Sequence, residues 1–95
     1  MAQFIARVQL SLEISGNYTR LRDALLNIGF TKRVRSKEGV EYRLPNGNYR
    51  VESNKSLDEV TTAVAQIARS IDRNSQIFVC EVKENGMSWN GLQRC

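Results

Sequence analysis

The residues best equipped for chemistry in this 95-residue chain lie between positions 20 and 50. Arg20, Arg22, Lys32, Arg33, Arg35, Lys37, Arg43 and Arg50 stand there against Asp23, Glu38 and Glu41. The segment has a surplus of five positive charges. The whole chain carries +4, so the remainder is near −1. A basic segment on a near-neutral background is the electrostatic footprint of a phosphate-binding surface. Arginine suits that task because its planar fork grips phosphate oxygens in pairs. Tyr42 and Tyr49 interleave with the cations and offer aromatic faces on which unpaired bases stack. The same tyrosines also suit packing in strands.

What is missing narrows the chemistry further. The chain has no histidine, which excludes Ser-His and Cys-His nucleophile pairs and imidazole metal ligands. Cys80 sits in an apolar run and Cys95 ends the sequence, a spacing that fits no zinc site, redox pair or disulfide framework. The carboxylates are scattered, and the adjacent Asp58 and Glu59 belong to the first turn of a helix. No metal site and no cofactor are expected. RNA cleavage without a metal uses the RNA's own 2′-hydroxyl as nucleophile, so the protein must supply only proton carriers and phosphate stabilisation. Without histidine, the proton carriers have to be Tyr, Glu or Lys.

The elements that position these groups are legible from hydrophobic periodicity. From Phe4 to Ile14 apolar residues alternate with Arg7, Gln9, Ser11 and Glu13, the pattern of a half-buried strand. Ser15-Gly16-Asn17 offers a helix start, and Tyr18, Leu21, Leu25 and Ile28 then recur at helical spacing until Gly29. Arg22 falls at the margin of that stripe. Phe30 to Arg35 reads as a second strand, and Ser36-Lys37-Glu38-Gly39 as a turn. Val40–Leu44 and Asn48–Glu52 flank Pro45-Asn46-Gly47, where Asn-Gly signals a hairpin. Ser56-Leu57-Asp58-Glu59 is a capping box that opens a second amphipathic helix through Ile71. Gln76 to Val82 is a closing strand with apolar residues on both faces.

Strand, helix, hairpin, helix, strand is the order of an α+β, ferredoxin-like βαββαβ sandwich. The pattern predicts a four-stranded antiparallel sheet in the order 4-1-3-2, with both helices on one face. The expected core is Phe4, Val8, Leu10, Leu21, Leu25, Ile28, Val60, Val64, Ile67, Ile71 and Phe78 or Val79. Residues 1–84 form the domain, and 85–95 are a C-terminal tail in which Met87 and Trp89 find no place in this core. An open sheet face and a surplus apolar tail point to a homodimer through a sheet edge and the tail. No run of about 18 apolar residues is available to span a membrane, and the first residues lack the pattern of a secretory signal. A cytoplasmic protein with no membrane contact is the expectation.

The chain resembles the GhoS family of small endoribonuclease antitoxins, whose ferredoxin-like fold is shared with VapD and the CRISPR-associated adaptation nucleases. The likeness runs through the opening strand, Tyr18-Thr19-Arg20-Leu21-Arg22-Asp23, the Asn-containing helix end before Phe30, Asn48-Tyr49-Arg50-Val51, and the helix opening at Ser56-Leu57. It implies a hydrolase specific for single-stranded RNA that silences a toxin message. It places Arg22 and Tyr49 against the RNA as the catalytic pair. Arg20, Lys32, Arg33, Arg35, Tyr42, Arg43 and Arg50 would bind the strand around them. The adaptation nucleases hold a divalent metal with an Asp near the end of the first strand, where this chain has Gln9, Ser11 and Glu13. The resemblance therefore implies cleavage without a metal. Two other classes fit the residues as well: a non-catalytic nucleic-acid-binding module, and a protein-interaction or small-ligand regulatory domain whose basic charge is incidental.

Overall fold

A computed structural model describes residues 1–11 and 16–95. In chain order the elements are β1 (Ala2–Gln9), α1 (Asn17–Leu26), β2 (Arg33–Arg35), β3 (Glu41–Arg43), β4 (Asn48–Ser53), α2 (Leu57–Ile71) and β5 (Gln76–Val82). The chain is a small α+β fold. Among the described residues no helix is long and apolar enough to cross a membrane.

The alternation read from Phe4 onward puts β1 at the centre of a three-stranded sheet, antiparallel to β4 on one side and β5 on the other. Leu12, Glu13, Ile14 and Ser15, expected to extend the strand and begin the helix, lie outside the described residues. Phe4, Ala6 and Val8 face one side, with Tyr49 and Val51 beside them from β4 and Ile77 and Val79 from β5. Leu21 and Leu25 of α1 and Val60, Val64 and Ala68 of α2 close onto that face as one core. The two helices therefore share a side, as the pattern predicted.

The start of α2 and the end of α1 follow from local chemistry. The capping box is formed: Ser56 Oγ accepts from the Glu59 amide at 3.1 Å, and Glu59 Oε1 accepts from the Ser56 amide at 3.0 Å. Helix α1 closes with the Phe30 amide donating to the Leu25 carbonyl at 3.0 Å and the Gly29 amide to Leu26 at 3.1 Å. Gly29 takes a left-handed φ of 97° in this Schellman arrangement. That turn carries Phe30 into the core and leaves Ile28, an expected core residue, 47% exposed. On β5 it is Val79 that packs inward, while Phe78 is 68% exposed on the opposite face.

The expected four-stranded sheet is not formed. Thr31 alone takes the fourth position, exchanging two 2.8 Å backbone hydrogen bonds with Arg50 beside β4. The chain then turns away, and β2 pairs with β3 in a separate two-stranded sheet. The predicted hairpin across Pro45-Asn46-Gly47 fails for the same reason. Ser36 and Val40, only four residues apart, close β2 onto β3 through a 2.9 Å bond from the Ser36 amide to the Val40 carbonyl. This occupies the edge of residues 41–43 that the hairpin would have used. The Asn46-Gly47 turn instead carries the chain from one sheet to the other.

The tail is part of this fold. Gln93 O accepts from the Arg43 amide at 2.9 Å and Glu41 O from the Cys95 amide at 3.0 Å, extending the small sheet beyond β3. Trp89 packs against Tyr42 with ring centres 5.7 Å apart. Residues 86–92 close over Ile5, Cys80 and Val82 on the helix-free face, around an apolar cavity of about 510 Å³. The expected boundary at residue 84 thus divides segments that are hydrogen-bonded to each other.

Candidate nucleic-acid interface

A cavity of about 410 Å³ opens between α1 and the turn that enters β4. Tyr18, Thr19 and Arg22 reach it from the helix, Lys32 from the segment before β2, Asn46 and Gly47 from the turn, and Tyr49 from β4. Spacing explains the helical contribution, because residues 18 and 22 are one turn apart and share a side. Register explains Tyr49: it is paired with Ala6 on the inner face of the sheet, so its ring passes under α1.

Lys32 Nζ donates to Asn46 Oδ1 at 3.0 Å and lies 5.8 Å from the centre of the Tyr49 ring. Burial lowers the lysine's pKa below its ordinary value, and the nearby Arg43 and Arg22 charges add to the effect. Burial raises the Tyr49 phenol; Arg22 opposes that shift and Tyr18 adds to it. The Arg22 side chain is 48% exposed and pairs with Asp23 at 3.2 Å. An exposed pair between neighbours is weak, so the guanidinium is available to a stronger anion. Tyr18 is anchored by its hydroxyl, which accepts from the Leu10 amide at 3.1 Å. None of the described lining residues is acidic. The arrangement suits an anion held by the Arg22 guanidinium, with the Lys32 amine and the hydroxyl-bearing Thr19 beside it.

Of the residues singled out in the sequence, Arg22, Lys32 and Tyr49 meet here. Tyr49 is only 2% exposed, so its ring offers no stacking platform to a base. The other expected platform, Tyr42, is half-buried and packed against Trp89. Arg43 is exposed on β3 and acts on the cavity through its charge at Lys32. Arg20 is exposed on α1 and does not line the cavity. Arg33, Arg35 and Arg50 line a different groove with Glu41 and Glu52. There Arg33 and Arg35 share Glu41 at 3.8 and 3.7 Å, and Arg50 is held by Gln3 and Glu52. The basic segment is therefore spread over more than one surface, and among the described residues the α1 cavity has no acidic lining while the second groove has two glutamates.

Tyr18, Thr19, Asn46 and Gly47 were not recognised as site residues from the sequence. The one-turn spacing of Tyr18 and Arg22 was a visible signal for the first. Nothing local marks the turn residues, which reach the cavity because the turn is docked on β1. Among the described residues no group of three potential metal ligands is clustered. No family model matches the sequence. A search of curated proteins likewise finds no match.

Proposed function

We propose that this protein binds single-stranded RNA in the cavity between α1 and the Asn46-Gly47 turn and cleaves it there, acting as an endoribonuclease antitoxin on a toxin message in the cytoplasm. The observation that carries the reading is the convergence of Arg22, Lys32 and Tyr49, from three separate segments, on one cavity with no acidic residue among its described lining. Arg22 holds the phosphate and offsets the charge that develops on it, with the Lys32 amine beside it. The half-buried Tyr18 supplies an aromatic wall, and the Tyr49 hydroxyl hydrogen-bonds at the reacting phosphate. An unpaired nucleotide can swing out of its strand into such a space, whereas one locked in an A-form duplex cannot. The attacking group is the RNA's 2′-hydroxyl, which asks no nucleophile of the protein. A second copy joins through the outer edge of β5, unpaired among the described residues, with the exposed Phe78 on the adjoining helix-free face and the tail alongside.

The test is incubation of the purified chain with matched single-stranded and duplex RNA, with and without EDTA. Salt-sensitive binding of the single strand, with product formed in EDTA, is the expected result. Binding without product would make the protein a non-catalytic RNA-binding module. Neither binding nor product would leave the interaction or small-ligand regulatory reading.

A further inference from the structure

Cleavage through the 2′-hydroxyl needs a base to take its proton, and the roles given above to Arg22 and Tyr49 supply none. The chain has no histidine, and among the described residues the cavity lining has no carboxylate or thiol. The described lining side chains with an acidic or basic group are Tyr18, Arg22, Lys32 and Tyr49. An arginine does not release its proton in a protein. The Tyr18 hydroxyl is engaged with the Leu10 amide, and Tyr49 sits in the core with its phenol held protonated by burial. Lys32 is the group that is left. Its amine is fixed at the cavity wall by Asn46 and lies over the Tyr49 ring.

We propose that Lys32 is the catalytic base, accepting the proton of the ribose 2′-hydroxyl. The proposal rests on the reading of this cavity as an RNA-cleaving site. In the step, the neutral amine takes the proton and becomes an ammonium while the 2′-oxygen forms a bond to the adjacent phosphorus. The bond from phosphorus to the 5′-oxygen breaks, its electron pair leaves with that oxygen, and the oxygen takes a proton from the Tyr49 hydroxyl. The products are a 2′,3′-cyclic phosphate and a 5′-hydroxyl, and water restores the two side chains.

The surroundings favour the neutral amine. Arg22 faces Lys32 from α1 and Arg43 from β3, and burial adds to their effect in lowering its proton affinity. Asn46 is uncharged, the Tyr49 phenol is pushed up by burial, and Asp23 is paired with Arg22. Arg22 also meets the incoming phosphate, which limits how far that anion returns the proton to Lys32.

Lys32→Arg separates the base from a simple cation, since it keeps the charge but cannot accept the proton. With the fold checked by circular dichroism, RNA affinity is expected to stay within about threefold while cleavage falls by about 100-fold or more. Wild-type cleavage at subsaturating RNA should rise with pH to a midpoint below the ordinary lysine value of about 10.4. Arg43→Gln should move that midpoint upward, because it removes one of the charges that disfavour the ammonium. Wild-type cleavage by Lys32→Arg, or a midpoint unmoved in Arg43→Gln, overturns the assignment. If the wild-type protein binds RNA without forming product, Lys32 as base is overturned while RNA binding stands. If it does not bind, both readings fall.

Discussion

The Val8 amide donates a 2.8 Å hydrogen bond to the Gly47 carbonyl, and a Cβ on Gly47 would lie 2.9 Å from the Val8 carbonyl oxygen. These two residues dock the turn before β4 onto the end of β1. The same contact sets Asn46 and Gly47 into the cavity wall and starts Tyr49 in the register that brings it under α1. Cavity geometry and strand order therefore share one backbone contact.

Gly47→Ala tests that coupling. Gly47 has φ +85°, which a side chain rarely adopts, and the added Cβ meets backbone that cannot swing aside. A loss on the order of 1–3 kcal/mol is expected from the backbone strain, read as a lower urea midpoint with little change in slope. RNA affinity should fall with it. Wild-type stability in this variant would show that the turn is not pinned.

Arg22→Ala should reduce the slope of log affinity against log salt by about one, as one phosphate contact is lost. Arg69→Ala, exposed on α2 and away from the cavity, is the control and should leave the slope unchanged. Equal effects of the two would mean that charge acts diffusely. Asp23→Asn should strengthen binding modestly by releasing the Arg22 guanidinium.

At Tyr49 the informative change is to Phe. Tyr49→Ala opens a hole in the core and should cost about 3–5 kcal/mol, by analogy with other large aromatic truncations. Its loss of function would then report on folding. Tyr49→Phe keeps the ring that packs beside Phe4, Ala6 and Val8 and removes only the hydroxyl. Cleavage should fall while the thermal midpoint holds within a few degrees. Unchanged cleavage would remove the hydroxyl from the mechanism.

Ser56→Ala should destabilise the fold by about 1 kcal/mol through loss of the α2 cap. The cap also carries a pH dependence. Hydrogen bonds from the Ser56 backbone and side chain hold the Glu59 carboxyl below the ordinary glutamate value. A group with a depressed native pKa stabilises the fold above its unfolded value and loses that contribution as pH falls through the native one. The wild-type protein should therefore lose stability below about pH 4, and Ser56→Ala should lose less over the same range in urea titrations.

Truncation after Glu84 removes the strand-like pairing to β3 and uncovers Tyr42, Ile5, Cys80 and Val82. A lower melting temperature is expected. Light scattering of the full and truncated chains, and of Phe78→Lys, examines the assembly. A dimer lost in Phe78→Lys supports pairing through β5, and equal monomer masses for the full and truncated chains would remove the tail from any role in it.

Hydrophobic alternation by itself determined that β1 is a strand with Phe4, Ala6 and Val8 inward. Helical spacing and the capping box determined α2, because both signals lie within a few residues of chain. The surplus of charge between residues 20 and 50 was equally plain, and so was the absence of histidine. Strand pairing was not legible in the same way. Two turns compete for residues 41–43, and the Ser36–Gly39 turn pairs them with β2 while Gly47 is docked on Val8 and the tail pairs with β3. These are contacts between residues far apart in sequence, invisible to local pattern. Which side of the molecule each cation reaches was likewise decided by tertiary structure. Lys32 and Arg33 are adjacent in the chain, yet Lys32 lines the α1 cavity and Arg33 the opposite groove. The chain bends at Lys32, between the Thr31 bridge to Arg50 and the start of β2 at Arg33, and that bend sends the two side chains to different surfaces.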